Sequence, residues 1–118
     1  MDPLTLYRSA RQALEQGRPA CMVTIVKTRG STPRSAGSKM LVYRDGTCLG
    51  TIGGGCGEAE ARQQALRALD TGQSFYYTIS LTSDIAASEG MACGGYMELF
   101  LEPILAPQPE ASPTAPAP

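Results

Sequence analysis

The hydrophobic and polar positions along the chain predict two helices and about five strands, in the order α-β-β-β-α-β-β. In the first helix, Asp2 is the predicted N-cap, Pro3 suits the first helical position, and Gly17 suits the end. Its apolar residues fall on one face and predict that the helix covers a core: Leu6, Ala10, Ala13 and Leu14. Residues 20–28 follow as a nearly continuous apolar run up to Val26, which is typical of a strand buried on both faces.

The middle of the chain predicts a hairpin, a tight glycine-rich segment and a second helix. Asp45-Gly46 lies between two apolar stretches, which indicates a hairpin with a two-residue loop. Residues 53–57, GGGCG, predict a tight backbone segment, after which the helix runs from about Glu58 to Asp70 and ends at Gly72. Its apolar residues share one side: Ala61, Ala65, Leu66 and Leu69.

Two more strands and a tail of different composition complete the chain. Residues 75–81 alternate and predict a strand, residues 82–95 predict a glycine-ended loop, and residues 96–103 predict a strand that Pro103 ends. The core face of that last strand is expected to carry Met97, Leu99 and Leu101. We therefore expect an α+β or α/β domain over residues 1–105, with a mixed or antiparallel sheet of about five strands and two main helices packed on it. Residues 106–118 are rich in Pro and Ala and predict a disordered tail or truncated linker.

Composition narrows the function classes. The 118 residues suit one domain, and ten basic against eleven acidic residues argue against a nucleic-acid surface. The sequence has no apolar run long enough for a membrane helix and no signal peptide, so we expect a cytoplasmic protein with free thiols. Histidine is absent and no two of the four cysteines form a CxxC pair. We assign no catalytic residue and no metal site.

A basic segment is the first candidate for chemistry. Five of the ten basic residues fall between positions 27 and 44: Lys27, Arg29, Arg34, Lys39 and Arg44. A charge run of this kind is often only a solvated loop. Because Ser31, Thr32 and two glycines share it, the segment also suits an anion site built from hydroxyls, backbone N–H groups and an arginine. The residues alone leave both interpretations open.

Two glycine runs that contain cysteine are the other candidates. Gly53-Gly54-Gly55-Cys56 indicates a close approach to the backbone or a positive φ, or simply a crowded turn, and it fits neither GxGxxG nor a P-loop. Cys93-Gly94-Gly95 places a thiol on tightly turned backbone, where it is either a nucleophile or soft-metal ligand or a buried structural residue. Cys21 and Cys48 are expected to be small core residues.

Several ordered motifs together resemble a known family. Over roughly residues 4–105 the chain closely resembles the N-terminal domain of the XdhC/CoxI family, which comprises xanthine dehydrogenase accessory factors and related maturation proteins of molybdenum hydroxylases. The motifs are Thr28-Arg-Gly-Ser-Thr-Pro-Arg34, Gly37-Ser-Lys-Met-Leu-Val42, Asp45-Gly46, Gly50-Thr-Ile-Gly-Gly-Gly-Cys56 with Glu58, and Glu89-Gly-Met-Ala-Cys-Gly-Gly95 with Glu98-Leu-Phe-Leu-Glu-Pro103.

The resemblance implies a chaperone without turnover that binds the molybdenum cofactor (molybdopterin), a pterin with a phosphate and a dithiolene. Such a protein holds the cofactor while a cysteine desulfurase supplies sulfur, and then passes it to a molybdenum hydroxylase such as xanthine dehydrogenase. At the matching positions we expect the hydroxyls and cations to bind the phosphate, the glycines to accept the flat pterin, and the thiols to meet molybdenum or to transfer sulfur. The residues expected to bind the cofactor are Ser31, Thr32, Arg34, Lys39, Gly53, Gly54, Gly55, Cys56, Cys93, Gly94 and Gly95.

Two alternatives stand beside that interpretation. One is a thiol-based sulfur carrier, and the other is an interaction module that docks on the hydroxylase or on a separate Rossmann-like partner. Family members commonly continue into a Rossmann-like domain after a linker, whereas this sequence stops within its linker; if Pro118 is the natural end, a separately encoded partner is expected. A homodimer is plausible because one small domain offers little surface to enclose a pterin.

Overall fold

The computed structural model describes residues 2–30, 34–53, 55–80 and 95–105. Over these residues the elements follow the predicted order, with bounds α1 Pro3–Glu15, β1 Ala20–Arg29, β2 Lys39–Tyr43, β3 Cys48–Gly50, α2 Gly55–Thr71, β4 Phe75–Ser80 and β5 Tyr96–Ile104. The strands lie in the order β3-β2-β1-β5-β4, and every neighbouring pair is antiparallel. The predicted fold class is confirmed as α+β, with an antiparallel sheet.

The central strand β1 is buried on both faces because a helix covers each side of the sheet. Ala20 and Met22 pack in the cluster under α1, whereas Cys21, Val23 and Ile25 pack in the cluster under α2. This alternation gives three layers, helix on sheet on helix, and it explains why the sequence of β1 is apolar at consecutive positions. The prediction for residues 20–28 is confirmed, except at Val26. A register shift between Ile25 and Lys27 interrupts the alternation there and leaves Val26 42% exposed.

Helix α1 has the predicted ends. Asp2 is the N-cap and accepts a hydrogen bond from the Leu4 N–H, and Gly17 follows the helix with φ +68°. The residues that face the sheet are Leu6, Ala10 and Ala13. The prediction for Leu14 was wrong, because this side chain is 37% exposed and borders a small crevice beside the end of β5.

The β2–β3 hairpin is present, but its loop differs from the prediction. The Tyr43 carbonyl accepts the Gly46 N–H at 2.9 Å, and the Tyr43 N–H donates to the Thr47 carbonyl at 2.8 Å. Three residues therefore lie between Tyr43 and Thr47, rather than a two-residue loop. Gly46 has φ +91° in the last of these positions, as in a turn that ends in a left-handed glycine.

Two element boundaries also differ from the sequence prediction. Helix α2 begins at Gly55, three residues before Glu58, so the glycine-rich segment continues into the first helical turn. Strand β5 does not end at Pro103 but runs to Ile104. Because β4 pairs with β5 only as far as Leu101, one edge of β5 is open beyond that point and tolerates a residue that cannot donate. The predicted core faces are confirmed at Ala61, Ala65, Leu69, Met97, Leu99 and Leu101.

A candidate anion-binding site

A cavity of about 420 Å³ lies where the N-terminus of α1 meets the loop before β2 and the residue after β3. Its wall contains two cations of the basic segment, Arg34 and Lys39. The other lining residues are Pro3 and Leu6 of α1, the loop residues Ala36, Gly37 and Ser38, and Thr51. The cavity has the size range of small-molecule sites, and its cations suit an anionic ligand.

The loop that supplies Arg34 is fixed to β1 by backbone hydrogen bonds. The Gly37 N–H donates to the Ile25 carbonyl at 2.7 Å, and the Ile25 N–H donates to the Ser38 carbonyl at 2.9 Å. Gly37 has φ +98°, in the left-handed region that favours glycine. These bonds occupy both backbone groups of Ile25, so the loop residues before β2 form a fixed rim for the cavity.

Lys39 is held in place by its neighbours on the sheet and on α1. Its Nζ donates to the Thr24 Oγ1 at 3.2 Å and lies 5.8 Å from the centre of the Tyr7 ring. The Lys39 side chain is half-buried. An ammonium has three N–H donors, so Lys39 can bind an anion and keep its bond to Thr24.

Thr51 connects the cavity to the start of α2. Its hydroxyl donates to the Glu58 Oε2 at 2.5 Å and accepts the Gly53 N–H at 3.0 Å. Both hydrogen-bonding roles of the hydroxyl are therefore used within the protein. This arrangement fixes the backbone at the beginning of the glycine run, where Gly53 has φ +132°.

Gly50 allows β3 to approach its neighbours at the cavity. Its φ is +78°, and a Cβ placed on it would lie 2.9 Å from the Lys39 carbonyl oxygen and 3.3 Å from the Leu6 Cδ1. Sequence reasoning missed Gly50 and Thr51 as site residues, although both belong to the motif that begins at position 50. Gly50 matters through its contacts with α1 and β2, and Thr51 through its hydrogen bond to α2; no local pattern indicates these contacts.

The predicted site residues fall into three groups. Arg34 and Lys39 line one cavity, and Gly53 lies two residues after Thr51, which lines it too. Gly55 and Cys56 lie in the first turn of α2, and Gly95 is buried directly before β5. The remaining predicted residues lie outside the described part of the chain: Ser31, Thr32, Gly54, Cys93 and Gly94.

The other members of the basic segment lie away from the cavity lining. Arg44 pairs with Asp70 at 2.6 Å and donates to the Leu69 carbonyl at 3.2 Å, so it ties the hairpin to the end of α2. Lys27 and Arg29 are exposed at the far end of β1. The fold thus divides the five basic residues and places two of them at the cavity.

The two cysteine side chains that the structure describes are unsuited to thiolate chemistry. Cys21 is fully buried, and burial raises the pKa of its thiol to about 12. Burial also raises the pKa of Cys48, which lies half-buried on β3 with its sulfur 3.4 Å from the Gly46 carbonyl. Both thiols are therefore protonated near neutral pH, as core cysteines are expected to be.

Neither α1 nor α2, the two helices of the described ranges, has the length and apolar character that a membrane-spanning helix needs.

Comparison with known proteins relates this chain to larger ones. The model of the XdhC and CoxI family matches residues 13–80. Two relatives come from Escherichia coli K12. The uncharacterized protein YqeB is 36% identical over 98 residues, which cover 83% of this chain and 18% of the length of YqeB. The molybdenum cofactor insertion chaperone PaoD is 34% identical over 115 residues, which cover 92% of this chain and 34% of the length of PaoD. The crystal structure of a xanthine dehydrogenase from Bacillus halodurans matches with a TM-score of 0.74 and 28% identity, over 88% of this chain and 31% of its own. The chain spans no more than 34% of the length of these proteins.

Proposed function

The chain belongs to the XdhC and CoxI family, and we propose that it binds the molybdenum cofactor and assists its sulfuration and insertion into a molybdenum hydroxylase of the xanthine dehydrogenase type. The observation that carries the proposal is the cavity in which Arg34 and Lys39 come together. The name of one relative, a molybdenum cofactor insertion chaperone, supports the choice of ligand. In this role the cofactor is cargo that the protein holds and hands on.

The residues of the cavity suit the phosphate of that cofactor. A guanidinium and an ammonium on one wall offer several charge-assisted donors to phosphate oxygens. The volume of about 420 Å³ admits a phosphate with part of the group that carries it. We assign Arg34 and Lys39 to the phosphate and expect Ser31 and Thr32, from the same loop, to assist them. The glycine run 53–55 is expected to accept the flat part of the cofactor close to the backbone.

The proposal extends to sulfur transfer and to partners. Since the thiols of Cys21 and Cys48 have raised pKa values, Cys56 and Cys93 are the residues proposed to meet sulfur or molybdenum. The proposed partners are a molybdenum hydroxylase, a cysteine desulfurase and a separate Rossmann-like domain, and a homodimer would enclose more of a pterin. The proposed place of action is the cytoplasm.

Anaerobic binding of the molybdenum cofactor tests the proposal. Protein and cofactor are mixed, separated by gel filtration, and the bound cofactor is measured as fluorescent oxidised pterin. We expect wild-type protein to retain pterin and both Arg34→Ala and Lys39→Met to lower the affinity by about tenfold or more, since each removes a charge-assisted contact. Arg44→Ala is the matched control, because this arginine comes from the same basic segment but lies away from the cavity lining, beside Asp70.

Three outcomes of this experiment are informative. Wild-type protein that retains no pterin contradicts the proposal, and so does an equal loss of affinity in the Arg44→Ala control. A Cys56→Ser, Cys93→Ser double variant that still binds pterin limits the thiols to sulfur transfer or packing. Incubation with a desulfurase and cysteine then decides between these two, because sulfur transfer requires a persulfide adduct on one of the two cysteines in the wild-type protein.

A further inference from the structure

Four residues form a row across the sheet, on the face that α1 partly covers. Lys39 of β2 is paired with Thr24 of β1, Thr24 with Phe100 of β5, and Phe100 with Tyr76 of β4. Directly paired residues of antiparallel strands lie on the same face of a sheet. Thr24 also has the parity of Ala20 and Met22, which contact α1, so the whole row lies on the α1 side.

Among the described residues, the row runs from the cavity onto an open part of the sheet. Lys39 is in the cavity wall, whereas Tyr76, at the other end of the row, is 64% exposed. The Phe100 and Tyr76 rings are 5.0 Å apart between centroids and inclined by 43°, and they lie in neither of the two core clusters of the described residues. Two adjacent aromatic rings on an open sheet face offer a surface on which a flat ring can stack.

The distances along the row suit one small ligand. Neighbouring strands are about 4.8 Å apart, so the backbone of Phe100 lies about 10 Å from that of Lys39. The Lys39 ammonium already reaches across to Thr24, at 3.2 Å, and so lies above the strand next to Phe100. A short linker therefore suffices to join a phosphate held by Lys39 to a ring placed over Phe100 and Tyr76.

The charges along the row differ between its two ends. Arg34 and Lys39 are cationic at the cavity, whereas Glu98 and Glu102 flank Phe100 on the same face of β5. Lys27 of β1 is paired with Glu98, so Glu102 is the carboxylate of the two without a cation opposite it in the register of β1. Carboxylates accept hydrogen bonds from N–H donors. This distribution fits a ligand that is anionic at one end and carries a planar heterocycle with N–H groups at the other, as a pterin phosphate does.

We propose that Phe100 and Tyr76 are a stacking platform for the heterocycle of the ligand whose phosphate is held by Arg34 and Lys39. The proposal rests on the function proposed above and adds the ring-binding part of the site. It places the flat ring on β5 and β4, and this assignment replaces the glycine run 53–55, proposed above for the flat part of the cofactor. Glu98 and Glu102 are the acceptors for the ring N–H groups, and Thr24 lies between the two parts of the ligand.

Binding of a pterin phosphate to the intact chain tests the platform. The probe is neopterin monophosphate, and the readouts are its affinity and the quenching of its fluorescence, which stacking on an aromatic ring produces. We expect Tyr76→Ser and Phe100→Leu each to weaken binding by about tenfold and to reduce the quenching. Tyr76→Phe keeps the ring and should bind as wild type does. Leu4→Ser is the matched control, because it removes another exposed apolar side chain, 52% exposed, on α1.

Inorganic phosphate separates the two parts of the site. In the platform variants, inorganic phosphate should displace the pterin phosphate that still binds with the same inhibition constant as in the wild-type protein, since Arg34 and Lys39 are intact. Unchanged affinity and quenching in both Tyr76→Ser and Phe100→Leu would overturn the platform, and if Arg34→Ala still lost binding, the proposed function would survive. Wild-type protein that binds no pterin phosphate would overturn both. A concentration-dependent dimer that Tyr76→Ser abolishes, with unchanged pterin binding, would instead assign this face to a second copy of the chain.

Discussion

Gly50 is the residue whose backbone conformation brings β3 close to both β2 and α1 at the cavity. Two separate effects oppose a side chain there, namely φ of +78° and the 2.9 Å approach of the Lys39 carbonyl oxygen. Gly17 shows the first effect alone, because it has φ +68° and nothing within 4 Å of the position of a Cβ. The two glycines therefore allow backbone strain to be separated from crowding.

Substitution of the two glycines by alanine should give different losses of stability. We expect Gly17→Ala to lower the free energy of unfolding by about 1 kcal/mol, the cost of a left-handed alanine. Gly50→Ala should lower it by about 2–4 kcal/mol, because crowding against backbone adds to the strain. Urea unfolding of both variants measures the difference. Equal losses would show that β2 and α1 move aside without cost, in contradiction to the contacts described for Gly50.

At the scale of the elements, the β2–β3 turn contains a titratable group, the Asp45 carboxylate, which takes part in its hydrogen bonds. The Asp45 carboxylate accepts the Thr47 N–H at 2.9 Å, and this hydrogen bond, with a smaller contribution from Arg18, lowers the pKa of Asp45 below its ordinary value of 3.8. A carboxylate whose pKa is lower in the folded state stabilises the fold above the unfolded pKa. That contribution is lost as the pH falls through the folded pKa.

The turn should therefore become less stable in acid through Asp45. We expect the free energy of unfolding of wild-type protein to fall below about pH 4 more steeply than that of Asp45→Asn, which keeps an acceptor oxygen but does not titrate. Urea unfolding between pH 6 and pH 2.5 gives the two profiles. If they run parallel throughout, the hydrogen bond from Thr47 does not stabilise the ionised form.

The sequence predicts the elements better than their junctions. Periodicity and caps indicate the order of the elements, the N-cap of α1 at Asp2 and the burial of β1 on both faces, because these depend on neighbours a few residues away. The hairpin loop is different, since Asp45-Gly46 suits a two-residue turn and equally a three-residue turn whose last position is a left-handed glycine. The extension of β5 past Pro103 depends on where β4 stops pairing, which is a property of the sheet.

The candidate site shows the same division. Arg34 and Lys39 stand out in the sequence as cations of a loop with glycines and hydroxyls, and the structure places both at one cavity. No local pattern indicates the row from Lys39 to Tyr76, because it depends on the pairing of β1 with β5, two strands that lie far apart in the sequence. The assignments for Ser31, Thr32, Gly54, Cys93 and Gly94 stay predictions.

At the scale of the whole molecule, the sheet carries cores of different extent on its two faces. The cluster under α2 includes residues of β1, β2, β4 and β5, such as Val23, Met40, Ile79 and Leu99. The cluster under α1 is smaller and centres on Leu6, with Met22 and Leu41. Since Leu6 also lines the cavity, the attachment of α1 and the shape of the candidate site depend on the same contacts.

This asymmetry predicts that α1 separates from the sheet before the rest of the fold unfolds. Leu6→Ala and Leu99→Ala each remove a nearly fully buried leucine, 2% and 0% exposed, and each should cost about 2–5 kcal/mol if its loss weakens the whole fold. We expect Leu99→Ala to speed amide hydrogen exchange in all elements alike. Leu6→Ala should speed it chiefly in α1, because the contacts under α2 remain and hold the sheet together. Uniform acceleration in both variants would mean that α1 unfolds only with the whole domain, and the cavity would then exist wherever the sheet is folded.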